Sequence, residues 1–305
     1  MESIIKVKSL TKKYGDVMAV NGVTFAVAKG EVFGILGPNG AGKTTTVEMI
    51  EGLRKPDNGE IEVCGIDAVK ETRRTKELIG VLLQATSIYE NIRVKEAVEL
   101  FGSYYRKSLP VKQILEEVSL TDKQNSAVSS LSGGQKQRLS IGLALVNDPE
   151  VLFLDEPTTG LDPQARHNVW SVVENLRDRG KTIILTTHYM EEAEQLCGRI
   201  AIIDHGNIMQ MDTPDNIING AALDTLIEFS TSVELNSWMS KMLGTEKLNH
   251  GSINHYCIST KGVQSALKDL TQLCYENNIE LKNISVRKAT LEDVFLSMTG
   301  RKLRE

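Results

Sequence analysis

The chain has 305 residues, enough for two domains of ordinary size, and its 41% hydrophobic and 25% charged composition is that of a globular protein with a sizeable core. The formal net charge of -5 argues against nucleic acid as the main partner, because phosphate binding favours a basic face. No apolar run approaches the roughly 20 residues that cross a bilayer, the N-terminus lacks the basic-then-apolar pattern of a signal peptide, and Cys64, Cys197, Cys257 and Cys274 form no CxxC pair, so reduced, mostly buried thiols of a cytosolic protein are expected.

In chain order, IIKVKSL and VTFAVAKG read as two short strands around a turn that carries Tyr14 and Gly15. EVFGILG is a buried strand, followed by a glycine-rich loop and the helical TTTVEMIEGL; PDNG (Pro56–Gly59) is a turn, and EIEVCG a further strand. From Thr86 to about Pro149 the pattern is helical, with VKEAVELFGSYY and VKQILEEVSL as its clearest segments. Strands return at VLFLDEP, KTIILTT and RIAIIDHG, separated by helical stretches, so a mainly parallel sheet with the helical block inserted into it is expected.

A second unit begins near Leu223. TLIEFS is a strand, VELNSWMSKML a helix, the segment around His250 a hairpin turn, and HYCIST a strand. VQSALKDLTQLCYENN puts Val263, Ala266, Leu267, Leu270, Leu273 and Cys274 on one helical face, and IELKNISVRK is the last strand. TLEDVFLSM closes the unit as a helix with a Leu291, Val294, Phe295, Met298 stripe and a Thr290–Asp293 capping box. The expected fold is α/β: a P-loop NTPase sheet domain over 1–215 with a helical subdomain at about 86–149, plus a small ferredoxin-like α+β domain over 222–305.

GPNGAGKT, Gly37 to Thr44, fits G-x-x-x-x-G-K-[ST] after an apolar strand and at the start of a helix. Glycines let consecutive backbone N–H groups curl around phosphates, and the helix start adds partial positive charge. Lys43 can reach the β- and γ-phosphates, and the Thr44 hydroxyl suits Mg2+. VLFLDEP delivers Asp155 and Glu156 to a strand end, where sheet ligands bind: Asp155 to hold Mg2+ through water, Glu156 to polarise an attacking water. His188 leaves the next strand at the same edge and precedes a helix, unlike His167, His205, His250 and His255. In LSGGQKQRLSIGLALVNDP, Ser132, Gly133 and Gly134 lead into a helix beginning near Gln135; this is either an ordinary serine N-cap or a second anion-binding helix start, and the second reading suits a site shared with another copy.

In this order GPNGAGKTT, LSGGQ, VLFLDEP, GLDP and the histidine after TIILTT resemble the ATP-binding subunits of ATP-binding-cassette (ABC) transporters, over Met1 to about Pro214. The resemblance implies an ATPase that uses ATP and Mg2+, with Gly37, Pro38, Asn39, Gly40, Ala41, Gly42, Lys43, Thr44 and Thr45 around the phosphates. It further implies that Tyr14 stacks on adenine, that Gln84 contacts metal and water, and that His188 contacts the γ-phosphate. Ser132, Gly133, Gly134 and Gln135 would contact ATP held by the opposite subunit of a homodimer, and Asp162 would cross the interface. The tail, KATLEDVFLSMTG, is similar to bacterial exporter ATPases for drugs, antibiotics or polysaccharides, which pair with integral membrane ABC-2-type permeases. Such members usually carry proline where Ala289 stands and threonine where Arg93 stands, and the second change removes a helix N-cap. The implied place is the inner face of the cell membrane, with the membrane-spanning part supplied by another polypeptide. The alternatives are an ABC importer ATPase, or an ABC ATPase acting on DNA or ribosomes; the DNA-repair type inserts long coiled coils and the ribosomal type carries two cassettes, and neither pattern is present.

Overall fold

In the computed structural model, which describes residues 2–82, 88–221, 225–248 and 254–299, the chain divides into Met1–Pro214 and Asp215–Gly300. The N-terminal strands are longer than their alternation suggested: β1 (Ser3–Tyr14) and β2 (Val17–Ala28) each run for 12 residues as an antiparallel pair. Register shifts after Val7 and Leu10 break the two-residue period, which is why the pattern fades at Leu10. β3 (Val32–Leu36) and α1 (Lys43–Ile50) follow, then β4 (Asn58–Val63), which starts inside the expected turn. Two short elements carried no pattern of their own, β5 (Ile66–Asp67) and α2 (Thr72–Leu78), before β6 (Ile79–Leu82).

The inserted helices are α3 (Val94–Gly102), α4 (Val111–Glu117) and α5 (Gly133–Ala144). The first stops at Gly102, short of the expected Tyr105; the Ser103 hydroxyl donates to the Leu100 carbonyl at 2.6 Å in the last turn. Its start is capped without a threonine: the Glu96 carboxylate accepts from the Arg93 N–H at 2.8 Å, half of a capping box. β7 (Val151–Asp155), α6 (Pro163–Asp178), β8 (Thr182–Thr187), α7 (Met190–Leu196) and β9 (Arg199–Asp204) complete the alternation. A final edge strand, β10 (Asn207–Asp212), is only partly buried, so NIMQMD gave no strand signal.

These strands form two sheets. A 6-stranded sheet has the order β10-β9-β3-β8-β7-β6, parallel except for β10. The 4-stranded order β2-β1-β4-β5 is a separate antiparallel sheet. Both contribute to one core, in which Val47, Met49 and Ile50 of α1 meet Val7, Val20 and Phe25 from one sheet and Phe33, Ile35 and Phe153 from the other. In the parallel sheet Leu36 lies opposite Thr187, and Asp155 opposite Thr186. The C-terminal ends of β3, β8 and β7 therefore open on one edge, where parallel sheets place their ligands.

The second unit contains α8 (Pro214–Gly220) at its boundary, then β11 (Thr225–Thr231), α9 (Ser237–Leu243), β12 (Thr245–Leu248), β13 (Asn254–Thr260), α10 (Val263–Glu276), β14 (Leu281–Arg287) and α11 (Leu291–Thr299). Its antiparallel order, β12-β13-β11-β14, is the ferredoxin-like arrangement. α9 starts four residues later than its apolar pattern, and the expected turn at His250 lies outside the described residues. Leu270, Leu273 and Cys274 of α10 pack on Ile227, Phe229, Tyr256 and Ile258, with Val263, Ala266 and Leu267 at the margin. Cys64 and Cys257 are only half-buried, unlike Cys197 and Cys274, and none of the four is in a disulfide.

α11 starts as its capping box predicts: the Thr290 N–H and hydroxyl both donate to Asp293, at 2.7 and 2.8 Å. Thr290→Ala should therefore cost about 1 kcal/mol, read as a lower urea midpoint; an unchanged midpoint would show that the cap contributes nothing. Among the described residues no helix is long and apolar enough to cross a membrane.

Candidate functional site

The loop after β3 is shaped by close backbone approach. A side chain on Gly37 would put its Cβ 2.1 Å from the Ile203 carbonyl oxygen, and one on Gly42, at φ 102, would put it 2.2 Å from that of Ala19. Neither position admits anything but glycine. Pro38 and Ala41 close a turn through the Ala41 N–H, which donates to the Pro38 carbonyl at 3.1 Å, while Asn39 and Gly40 stand exposed. Lys43 opens α1 with its side chain buried along the loop, and its Nζ donates to the carbonyls of Gly37 (2.7 Å) and Pro38 (3.1 Å). Burial lowers the Lys43 pKa, against the charges of Glu156 and Asp155, which raise it. Thr44 is exposed beside it and Thr45 half-buried.

Two strand positions away, Asp155 ends β7 and accepts a hydrogen bond from the Thr186 hydroxyl. Burial pushes the Asp155 pKa up, with Thr186 and Lys43 pulling it down. Glu156 follows with φ 47, a left-handed backbone that a side-chain-bearing residue rarely adopts. Its N–H is shared between the carbonyl and the hydroxyl of Thr186, both at 3.1 Å. Its Oε2 accepts from the Thr159 hydroxyl at 3.1 Å, and its Oε1 lies 3.4 Å from His188 Nδ1. Lys43, Asp155, Glu156 and His188 thus form one cluster at the sheet edge, as strand order requires.

A second cluster surrounds the start of α5. The helix begins at Gly133, two residues before the expected Gln135, because Ser132 is its cap. The Ser132 Oγ accepts from the Gln135 N–H at 3.3 Å, and the Gln135 Oε1 accepts from the Ser132 N–H at 3.0 Å. Gly134 is required by packing, since its Cβ would meet that of Ala165 on α6 at 2.7 Å. Gly133 is different: its Cβ would meet nothing closer than Leu161 at 3.9 Å, so nothing in its own chain excludes a side chain there. Asp162 caps α6, its Oδ1 accepting from the Ala165 N–H at 2.8 Å. Between the two helix starts is a cleft of about 240 Å³ lined by Ser132, Gln135, Arg138, Asp162 and Asn168.

Tyr14 stands at the end of β1, 41% exposed, with Lys12 Nζ at 5.6 Å and the Arg54 guanidinium at 5.7 Å from its ring centre. Gln84 lies outside the described residues. Sequence reasoning missed three groups. Thr186 holds both acids but reads as one more strand residue in TIILTT. Glu192 looks like a solvated helix acid yet is wholly buried. Burial, then the charges of Asp155 and Glu48, push the Glu51 carboxyl up to about 8, so it is protonated at neutral pH.

Residues 20–159 match the ABC transporter family. The Nod factor export ATP-binding protein I of Paraburkholderia xenovorans is 40% identical over 100% of this chain and 99% of its own length. The linearmycin resistance ATP-binding protein LnrL of Bacillus subtilis is 35% identical, over 99% of this chain and 100% of its own. Among solved structures, the ATP-binding cassette MJ0796, seen as a dimer in a post-hydrolysis state bound to ADP and Pi, superposes with a TM-score of 0.61 at 28% identity, covering 68% of this chain and 98% of that one. A phosphate-shaped loop beside two strand-end acids on a parallel sheet, joined to similarity along the whole chain, makes this protein a member of the ABC transporter family, an ATP-binding subunit that hydrolyses ATP.

Proposed function

We propose that two copies of this chain close on two ATP molecules, each held by the Gly37–Thr45 loop of one copy and by Ser132–Gln135 of the other, and that closure drives export through a separate membrane permease. The observation that carries the shared site is Gly133. It is an exposed glycine that its own fold does not need, at a capped helix start, the kind of place where anions bind. A second molecule's phosphate approaching that spot supplies the missing reason. The dimeric state of MJ0796 supports the same arrangement.

Within each site the loop N–H groups and Lys43 bind the phosphates, and Tyr14 offers the adenine an exposed, cation-flanked ring. Glu156 holds the attacking water by its carboxylate, its position set by Thr186 and Thr159. His188, 3.4 Å from Glu156, faces the γ-phosphate and stabilises the charge that develops there. Asp162 belongs to the interface beside Ser132. Thr44 and Asp155 offer a hydroxyl and a carboxylate, the hard oxygen donors magnesium takes while keeping its waters, and Gln84 completes that set. Magnesium held by these donors would supply positive charge to offset that of the phosphates.

The names of both relatives, one an export protein and one a resistance protein, support export, and the tail supports an ABC-2-type permease at the inner membrane face. We read the cassette as about 1–215 with its helical insertion and the accessory unit as about 222–305; the fold itself divides after Pro214.

The test is Ser132→Arg in a chain also carrying Glu156→Gln, followed by light scattering with ATP. The added bulk and charge at the helix start should abolish ATP-dependent dimers while nucleotide still binds the loop. A variant that dimerises as well as its parent ends the shared-site reading.

A further inference from the structure

Glu192, on α7, has its side chain fully buried behind the hydrolytic edge. Its Oε1 accepts from the Thr158 hydroxyl at 2.8 Å and from Trp170 Nε1 at 3.0 Å, while its Oε2 is buried without a hydrogen bond; the Thr187 side chain is close enough to lower the carboxyl's pKa. Each partner belongs to a different segment. Thr158 lies two residues after Glu156, Thr187 directly before His188, and Trp170 on α6, the helix that starts at Asp162. All three partners are buried. Burial raises the Glu192 pKa, while Thr187, Thr158, Trp170 and the charge of Arg166 lower it. The mostly buried Arg166 guanidinium lies over the Tyr189 ring at 4.5 Å and 3.8 Å from Glu191.

Removing a carboxylate from water costs several kcal/mol, and well-packed apolar residues of similar volume are often as good for stability. What an apolar residue cannot do is tie the loop after Glu156 and α6 to α7 by directional bonds. We infer that Glu192 is a positioning residue, a buried knot that sets the Glu156–His188 geometry from behind and ties it to the helix start at Asp162. The inference rests on the hydrolytic roles proposed for Glu156 and His188. It needs no contact between Glu192 and nucleotide.

The experiment is steady-state ATP hydrolysis by the full chain, with thermal midpoints, for Glu192→Gln, Thr158→Val, Glu156→Gln, His188→Ala and the His188→Ala/Glu192→Gln double variant. Misplacing a reacting group by a fraction of an ångström to 1 Å costs turnover heavily, so Glu192→Gln should lower kcat about tenfold or more. KM for ATP should stay within about threefold, because the Lys43 loop is untouched. In the His188→Ala background the same change should cost less than about twofold, since the geometry it maintains no longer matters. Thr158→Val removes only the bond to the loop and should shift kcat the same way, which keeps the test available if Glu192→Gln folds poorly. Unchanged kcat for folded Glu192→Gln, or a full multiplicative loss in the double variant, overturns the inference. If Glu156→Gln and His188→Ala themselves keep normal turnover, the proposed roles fall and the inference with them; if they lose turnover while Glu192→Gln and Thr158→Val keep it, only the inference falls.

Discussion

Glu156→Gln will hydrolyse ATP about 10²–10³-fold more slowly than the natural chain, while ATP-dependent dimers accumulate. The amide keeps the size of the carboxylate, and the backbone bonds that fix residue 156 come from its N–H to Thr186, so the loop should keep its shape. What is lost is the negative charge proposed to orient and polarise water, next to His188 and within the field of Lys43. Binding is untouched, because the phosphate loop and the Ser132 helix start contain no atom of residue 156. Hydrolysis slows, reopening slows with it, and the closed state persists. Coupled-enzyme turnover and light scattering in ATP measure the two halves of this statement. A variant that hydrolyses at the normal rate removes Glu156 from the chemistry, and one that stays monomeric in ATP removes the sandwich.

Lys43→Ala should weaken ATP binding about 30-fold or more, since truncating one partner of a buried, hydrogen-bonded charge pair costs roughly 2–5 kcal/mol. Two effects combine. The side chain that would meet the phosphates is gone, and Asp155 and Glu156 lose the cation that offsets their mutual repulsion. The Gly37 and Pro38 carbonyls also lose the donor that draws the loop closed. Fluorescent-nucleotide titration checks the affinity, and thermal melting checks that the fold survives. Affinity equal to the natural chain would take the loop out of phosphate binding altogether. The two variants separate functions: one should bind without turning over, the other should fail at binding.

Much of this was legible along the chain because the interactions concerned are local. The loop from Gly37 to Thr44, the Ser132–Gln135 box, the Thr290–Asp293 cap and the apolar face of α10 all join residues within a few positions of one another. Spacing alone carries such contacts. Elements without a periodic stripe were lost: β5 is too short to show one, and β10 is a half-exposed edge strand. The length of β1 was missed because its bulges interrupt the alternation that marks a strand.

By itself the sequence determined where the glycine-rich loop lies, which strands are buried and which residues stand at their ends. Only the tertiary structure decided that Glu156 and His188 sit 3.4 Å apart, that Thr186 braces both acids, that Gly134 answers to Ala165 while Gly133 answers to nothing in its own chain, and that Glu192 is buried among three segments. These are contacts between residues distant in the chain, set by strand order and helix packing. Periodicity reports which face of an element is buried and says nothing about which other element buries it.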